Sequence, residues 1–239
     1  MLKCVLFDLD GTLLPIDTVK HIKEYFVEIR KYFETHGFAG DEFFAVFMSA
    51  VRSMTKSTGE DTIERVFWQE MENAIPGIKE RLSPALDDFY KNHFPALSRH
   101  AYSDGAAREL IELCHSQKLD CVIATSPFFP RVAIVERLSW CGLSPDDFVY
   151  MTGYEDSKYA KPNPKYFAEI LDRLSLRADE CIVIGNDARD DLAAESVGLS
   201  VFLIERDLLN IKGVDLGDKK VGSVEECKQF ILENLVKCK

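Results

Sequence analysis

Asp8 and Asp10 stand two residues apart at the end of the apolar run Val5-Leu6-Phe7, and Gly11 and Thr12 follow them. Strand-forming residues in an unbroken apolar run read as a buried strand of a parallel sheet, here ending at Asp8. If the backbone stays extended through Leu9, both carboxylates point to the same side, because side chains alternate along a strand. Carboxylates so close repel each other unless a cation or a shared proton lies between them. Open α/β sheets bind their ligands in the crevice beyond the carboxyl ends of the strands, which is where this pair would sit. Gly11 lets the backbone turn closely around a bound group, and Thr12 offers a hydroxyl and an N–H. Taken alone, the same residues also suit an acidic turn after an edge strand.

Three later segments carry residues of related chemistry. Thr125 closes the apolar run Cys121-Val-Ile-Ala124, and its hydroxyl and that of Ser126 could donate to a phosphate oxygen. Serine and threonine are common at strand ends, so this segment is weak by itself. Lys161 lies in Tyr159-Ala-Lys161-Pro162-Asn-Pro164. Pro162 disfavours helical backbone at Lys161, and Pro164 suits the first turn of a following helix. A solvated surface position is the ordinary reading of any lysine, but this proline context is more specific. Gly185-Asn186-Asp187-Ala-Arg-Asp190-Asp191 follows the apolar run 181–184 and is expected to open a helix. Acids at a helix start stabilise its dipole, which accounts for Asp190 and Asp191. It does not account for Asn186 and Asp187, whose oxygens at the sheet edge suit Mg²⁺.

The elements that must position these residues divide the chain in two styles. Residues 16–99 show apolar side chains at three- and four-residue spacing and no convincing strand. Helices are expected at about 17–33, 43–51, 61–74 and 84–93, the last opening at Pro84. The aromatic stripe in this stretch reads as helix-bundle core. From about residue 100 the pattern alternates. Asp104 can cap a helix carrying Gly105 and Ala106 in its first turn. Strands near 121–124, 148–151, 181–184 and 201–204 are separated by helices at 130–140, 164–174 and up to Val197. A last helix spans 224–235, with Ser223 and Glu226 spaced as a capping box. Such alternation implies a Rossmann-like parallel sheet with helices on both faces. Residues 1–15 and 100–239 would form this α/β core, and 16–99 an inserted all-helical cap.

The chain has 239 residues, 46% of them hydrophobic and 29% charged, which is ordinary globular material with ample core. Its formal net charge of −11 argues against nucleic acid or anionic membrane as a partner. A phosphate site would therefore have to be made locally positive by a metal or a lysine. The amino terminus reads as a strand, not a signal sequence, and no apolar run approaches membrane-spanning length. Seven cysteines lack Cys-x-x-Cys spacing, and Cys4, Cys121 and Cys181 fall in or beside apolar strands. These features imply a reduced, cytoplasmic protein.

In order, the Asp-x-Asp-Gly-Thr run, the strand ending in Thr125, the Lys161-Pro162-x-Pro164 context and the Gly185-Asn186-Asp187 segment resemble the four motifs of the haloacid dehalogenase (HAD) superfamily. Two positions depart from the common pattern: Ser126-Pro127, where asparagine often follows the hydroxyl residue, and Asn186, where aspartate is usual. The resemblance implies a Mg²⁺-dependent phosphatase acting on a small phosphorylated metabolite. In that scheme Asp8 is the nucleophile that becomes an aspartyl-phosphate and Asp10 the general acid and base. Lys161 balances charge, and Gly11, Thr12, Thr125 and Ser126 bind the substrate. The metal would be held by Asp8, the backbone of Asp10, Asn186 and Asp187. A phosphomutase of the same superfamily keeps all four motifs, and a non-enzymatic phosphoacceptor switch gathers a similar set of groups. The presence of Asp10 argues against a dehalogenase.

Overall fold

A computed structural model describes residues 1–236 of the chain. Six parallel strands form a single sheet: β1 (Cys4–Phe7), β2 (Asp120–Ile123), β3 (Tyr150–Met151), β4 (Cys181–Gly185), β5 (Ser200–Ile204) and β6 (Lys220–Gly222). Their order is β3-β2-β1-β4-β5-β6. β1 is flanked in register by β2 on one side and β4 on the other, with Phe7 opposite both Ile123 and Ile184. All four residues of β1 are buried, as the run of apolar types requires of a strand covered on both faces. The chain builds outward from β1 in one direction and then returns to build in the other. The crevice this reversal leaves at the carboxyl ends of β1, β2 and β4 is the ordinary ligand site of such sheets.

Residues 16–99 carry four α-helices: α1 (Thr18–Thr35), α2 (Asp41–Met54), α3 (Ile63–Ala74) and α4 (Ile78–Asp88). Asp17 and Thr62 cap α1 and α3 by accepting from the backbone N–H of Lys20 and Arg65. The fourth helix differs from the sequence expectation. It starts at Ile78, carries Pro84 in its interior and passes into a π-helical turn at Phe89–His93. Its apolar face, Ile78, Leu82 and Leu86, continues into Phe89 and buries all four residues, and this burial outweighs the cost of an internal proline. The core of this stretch is aromatic. Phe33, Phe47 and Phe67 meet edge to face, as do Tyr25 and Phe94, and each fully buried ring contributes about 1.5–3 kcal/mol. That core is continuous with the sheet face that carries Val5, Phe7, Cys121 and Ile123.

Around the sheet lie α5 (Ala106–Ser116), α6 (Arg131–Trp140), α7 (Pro164–Leu174) and α8 (Val224–Val236). Gly105, at φ +83°, is the N-cap of α5 and not part of its first turn, although Asp104 does accept from the Ala106 N–H. Ser223 and Glu226 form the expected reciprocal cap at α8. Two elements depart from the sequence expectation. After β4 no α-helix forms; residues 187–191 make a turn and Leu192–Val197 a 3₁₀ helix. The short edge strand β6 had no apolar run to announce it, since Lys220 and Gly222 flank a single valine. Cys4, Cys121 and Cys181 are buried free thiols, and no described helix is long and apolar enough to cross a membrane.

Candidate active site

The carboxyl ends of β1, β2 and β4 open into a cavity of about 360 Å³, closed on its far side by residues of α1 and α2. Asp8, Asp10, Thr125, Ser126, Lys161, Asn186 and Asp187 all line it. Four segments that are far apart in sequence thus converge, because each directly follows a strand of the sheet or, for Lys161, directly precedes α7. Gly11 and Thr12 do not line the cavity. Thr12 is buried, and its hydroxyl faces Asn186 Oδ1 at 3.3 Å and Asp8 Oδ2 at 3.4 Å. Gly11 adopts φ +83°, and a Cβ there would lie 2.0 Å from the Asn186 amide nitrogen. These two residues pack the loop against Asn186.

Lys161 is buried and donates to two carboxylates, Asp8 Oδ1 at 2.8 Å and Asp191 Oδ1 at 2.6 Å. Burial works against its charge, but the carboxylates of Asp191 and Asp8 outweigh that effect and hold the ammonium protonated well above the ordinary lysine range. Asp191 is fully buried. Its second oxygen accepts the backbone N–H of Asn186 and of Asp187, both at 2.9 Å, so it ties the lysine to the loop after β4. Asn186 is held at three further points. Its side-chain oxygen accepts from Thr12, its amide nitrogen donates to the Asp207 carbonyl at 2.7 Å, and its own carbonyl accepts from Leu209 at 2.8 Å. Asp187 uses Oδ1 to accept the N–H groups of Arg189 and Asp190. Behind the hydroxyl of Thr125, the Thr125 carbonyl accepts from Thr152 and Tyr166, both at 2.8 Å.

Acids outnumber bases here. Burial pushes the Asp8 carboxyl up to about 7; Lys161 pulls it down, while Asp191 and Asp10 add to the rise. Burial, then the neighbouring Asp187, pushes Asp190 up to about 6. Crowded carboxylates that one lysine does not balance, set beside an amide oxygen at a sheet edge, are a donor set that suits a hard cation such as Mg²⁺. Among the described residues no three His, Cys, Asp or Glu side chains are already gathered in a metal-binding cluster.

Sequence reasoning missed two contributors. Arg137, on α6, is fully buried and forms an ion pair with Asp10 through Nη1. Its Nε donates to the Ala133 carbonyl at 3.2 Å, and its guanidinium lies 4.5 Å from the centre of the Phe129 ring. Asp10 Oδ1 and Arg137 Nη2 are sealed from solvent without a hydrogen-bond partner. The signal was present. Arg137 falls on the same helix face as the buried Ala133, Ile134 and Leu138, where an arginine must find a buried partner. The other contributor is Asp191, whose place in the sequence had suggested only a favourable interaction with a helix dipole.

A family model described as a haloacid dehalogenase-like hydrolase matches residues 2–198. The chain is 26% identical over 204 residues to a phosphoglycolate phosphatase of Vibrio parahaemolyticus, covering 84% of this chain and 82% of that one. It is 24% identical to a phosphorylated carbohydrates phosphatase of Thermotoga maritima, covering 83% and 82%. Its fold matches the crystal structure of a 2-haloacid dehalogenase from Pseudomonas syringae pv. Tomato at a TM-score of 0.64. That match has 20% identity and spans 98% of this chain and 99% of the other. With a family match over most of its length and the four segments converged on one cavity, the chain belongs to the haloacid dehalogenase-like hydrolase family.

Proposed function

We propose that this hydrolase is a Mg²⁺-dependent phosphatase that cleaves small phosphomonoesters through an aspartyl-phosphate on Asp8. The observation that carries the reading is the Asp8–Lys161–Asp191 arrangement at the end of the central strand. It fixes Oδ1 of Asp8 on an ammonium, while Oδ2 has only the long 3.4 Å contact from Thr12 and the residue lines the cavity. In the first step Asp8 Oδ2 bonds to phosphorus, the ester P–O bond breaks, and Asp10 delivers a proton to the departing alcohol oxygen. In the second, Asp10 takes a proton from water as its oxygen attacks phosphorus, which releases phosphate and restores Asp8. Thr125 and Ser126 supply hydroxyl donors to the phosphoryl oxygens, and Lys161 offsets their charge.

Asp8, the backbone carbonyl of Asp10, Asn186 and Asp187 would hold Mg²⁺, with Asp190 as a further acid facing the same space. The bound ion supplies Lewis-acid neutralisation of the phosphoryl oxygens. Arg137 is a positioning residue that fixes the direction of Asp10. The helices of residues 16–99 act as a cap that closes the cavity over the ester and separates it from bulk water.

Acid-quenched enzyme incubated with Mg²⁺ and a labelled phosphomonoester should carry a hydroxylamine-sensitive phosphoryl group, absent from Asp8→Asn. Steady release of phosphate with no trapped label, and with full turnover by Asp8→Asn, would overturn the reading. Return of the label to a second hydroxyl of the substrate instead of to water would point to a mutase.

A further inference from the structure

We propose that the part of the cavity facing the leaving group is built for an uncharged, mainly apolar alcohol. The preferred phosphomonoester then carries a hydrocarbon ring beside its ester linkage, not a carboxylate or a polyol. This deepens the phosphatase reading above and rests on it.

The cavity has two unlike ends. Away from the strand ends its wall consists of Ile22, Tyr25 and Phe26 from α1, Val51 from α2, and Phe128 and Phe129 from the loop after β2. The polar atoms on this wall are already engaged or sealed. The Tyr25 and Tyr90 hydroxyls share a hydrogen bond of 2.7 Å, and the Thr55 hydroxyl donates to the Arg52 carbonyl at 2.8 Å. The Thr18 hydroxyl is sealed from solvent and has no hydrogen-bond partner, so it offers at most one polar contact along this wall. A smaller void of about 30 Å³ lies behind the same wall, shares Tyr25, Val51 and Phe128, and is lined with further apolar and aromatic side chains such as Phe47 and Met54.

Charge gives the second argument. Among the described residues, Lys161 and Arg137 are the only basic ones lining the cavity, and both are committed. Lys161 serves Asp8 and Asp191, while Arg137 serves Asp10 and rests on the Phe129 ring, its free Nη2 out of reach of solvent. A leaving group with a carboxylate, such as glycolate, would lose its hydration against aromatic carbon and meet Asp10 and Asp190 without a counter-charge. A polyol would leave several hydroxyls unpaired. An apolar ring loses nothing of this kind and gains by burial. The chain therefore differs at this wall from what the name of its phosphoglycolate-cleaving relative requires of a site.

Benzyl phosphate and phosphoglycolate make a matched pair, since each places one CH₂ between its ester oxygen and either a ring or a carboxylate. Both are hydrolysed to the alcohol and phosphate by the same P–O cleavage. With Mg²⁺ and wild-type enzyme, kcat/KM for benzyl phosphate is expected to exceed that for phosphoglycolate by at least ~10²-fold. Acetyl phosphate, whose leaving group barely reaches the wall, reports the phosphatase reading separately. Thr55→Arg places a cation at the exposed rim, and Val51→Arg places one on the wall itself. Each should narrow the benzyl-to-glycolate ratio by roughly 10-fold, and circular dichroism would verify that the variants are folded. Turnover of acetyl phosphate with phosphoglycolate as good a substrate as benzyl phosphate would overturn the inference and leave the phosphatase reading standing. A ratio unmoved in both folded variants would overturn it as well. Failure on acetyl phosphate, together with both esters, would bring down the reading and this inference with it.

Discussion

The two ends of the cavity are held together by opposite physics. At the sheet edge, Asp8, Lys161, Asp191 and Asn186 are each fixed by several hydrogen bonds or ion pairs, and little of their geometry depends on packing. Across the cavity, α1 and α2 present Ile22, Phe26 and Val51, which are held by the aromatic core beneath them and make no directional bonds. Directional bonds fix position to fractions of an ångström, as charge transfer to phosphorus demands. Apolar contacts fix only volume and polarity, and they can be exchanged with modest loss. The polar end is therefore suited to the reaction common to a family, and the apolar end to choosing the ester. Arg137 joins the two, since it pairs with Asp10 while its guanidinium rests on Phe129.

The sharpest way to break this comparison is at the nucleophile. Asp8→Asn should lower kcat by on the order of 10⁴-fold or more for every ester tested, whatever its leaving group, once deamidation during preparation has been ruled out by mass spectrometry. A loss that depended on the leaving group would mean that the polar end does not act alone. Asp10→Asn follows, with an expected loss of ~10²–10⁴-fold, the usual worth of acid–base assistance. The deficit should shrink for esters of acidic alcohols, which leave without a proton. A deficit independent of leaving-group acidity would contradict the role given to Asp10.

Arg137→Leu tests the joint between the ends. Misdirecting Asp10 should lower kcat by about 10²-fold with KM little changed, since the phosphate donors stay in place. A change confined to KM would make Arg137 part of the wall instead. The smallest effect is expected at Gly11→Ala. Its left-handed backbone costs roughly 1–2 kcal/mol in an L-residue, and the new Cβ would press on the Asn186 amide. Urea unfolding should register that loss, and Mg²⁺ titration of activity should show a raised half-maximal concentration because Asn186 shifts. Unchanged stability and unchanged titration would mean that the loop accommodates the methyl group without moving Asn186.

Much of the site was legible because local chemistry wrote it into short segments. An apolar run that stops at an acid fixes both a strand and the residue at its end, so Asp8, Thr125 and the Asn186 segment could be placed on one sheet edge from sequence alone. The proline after Lys161 and the Ser223–Glu226 cap are equally local. The start of α4 was not, because Pro84 mimics a helix start, and only burial of Ile78 and Leu82 shows the helix already under way. The 3₁₀ geometry after β4 and the strand β6 also depend on neighbours and not on pattern.

The sequence by itself determined the candidate residues, their order and the strands beside them, since each follows from periodicity and residue type within about ten positions. Only the tertiary structure decided what they touch. It gave Asp191 to Lys161 across 30 residues and Arg137 to Asp10 across 127. It turned Thr12 away from the cavity and set an aromatic wall opposite the carboxylates. The physical reason is that a buried charge must find its partner wherever the chain folds back, and the distance along the sequence places no constraint on that pairing.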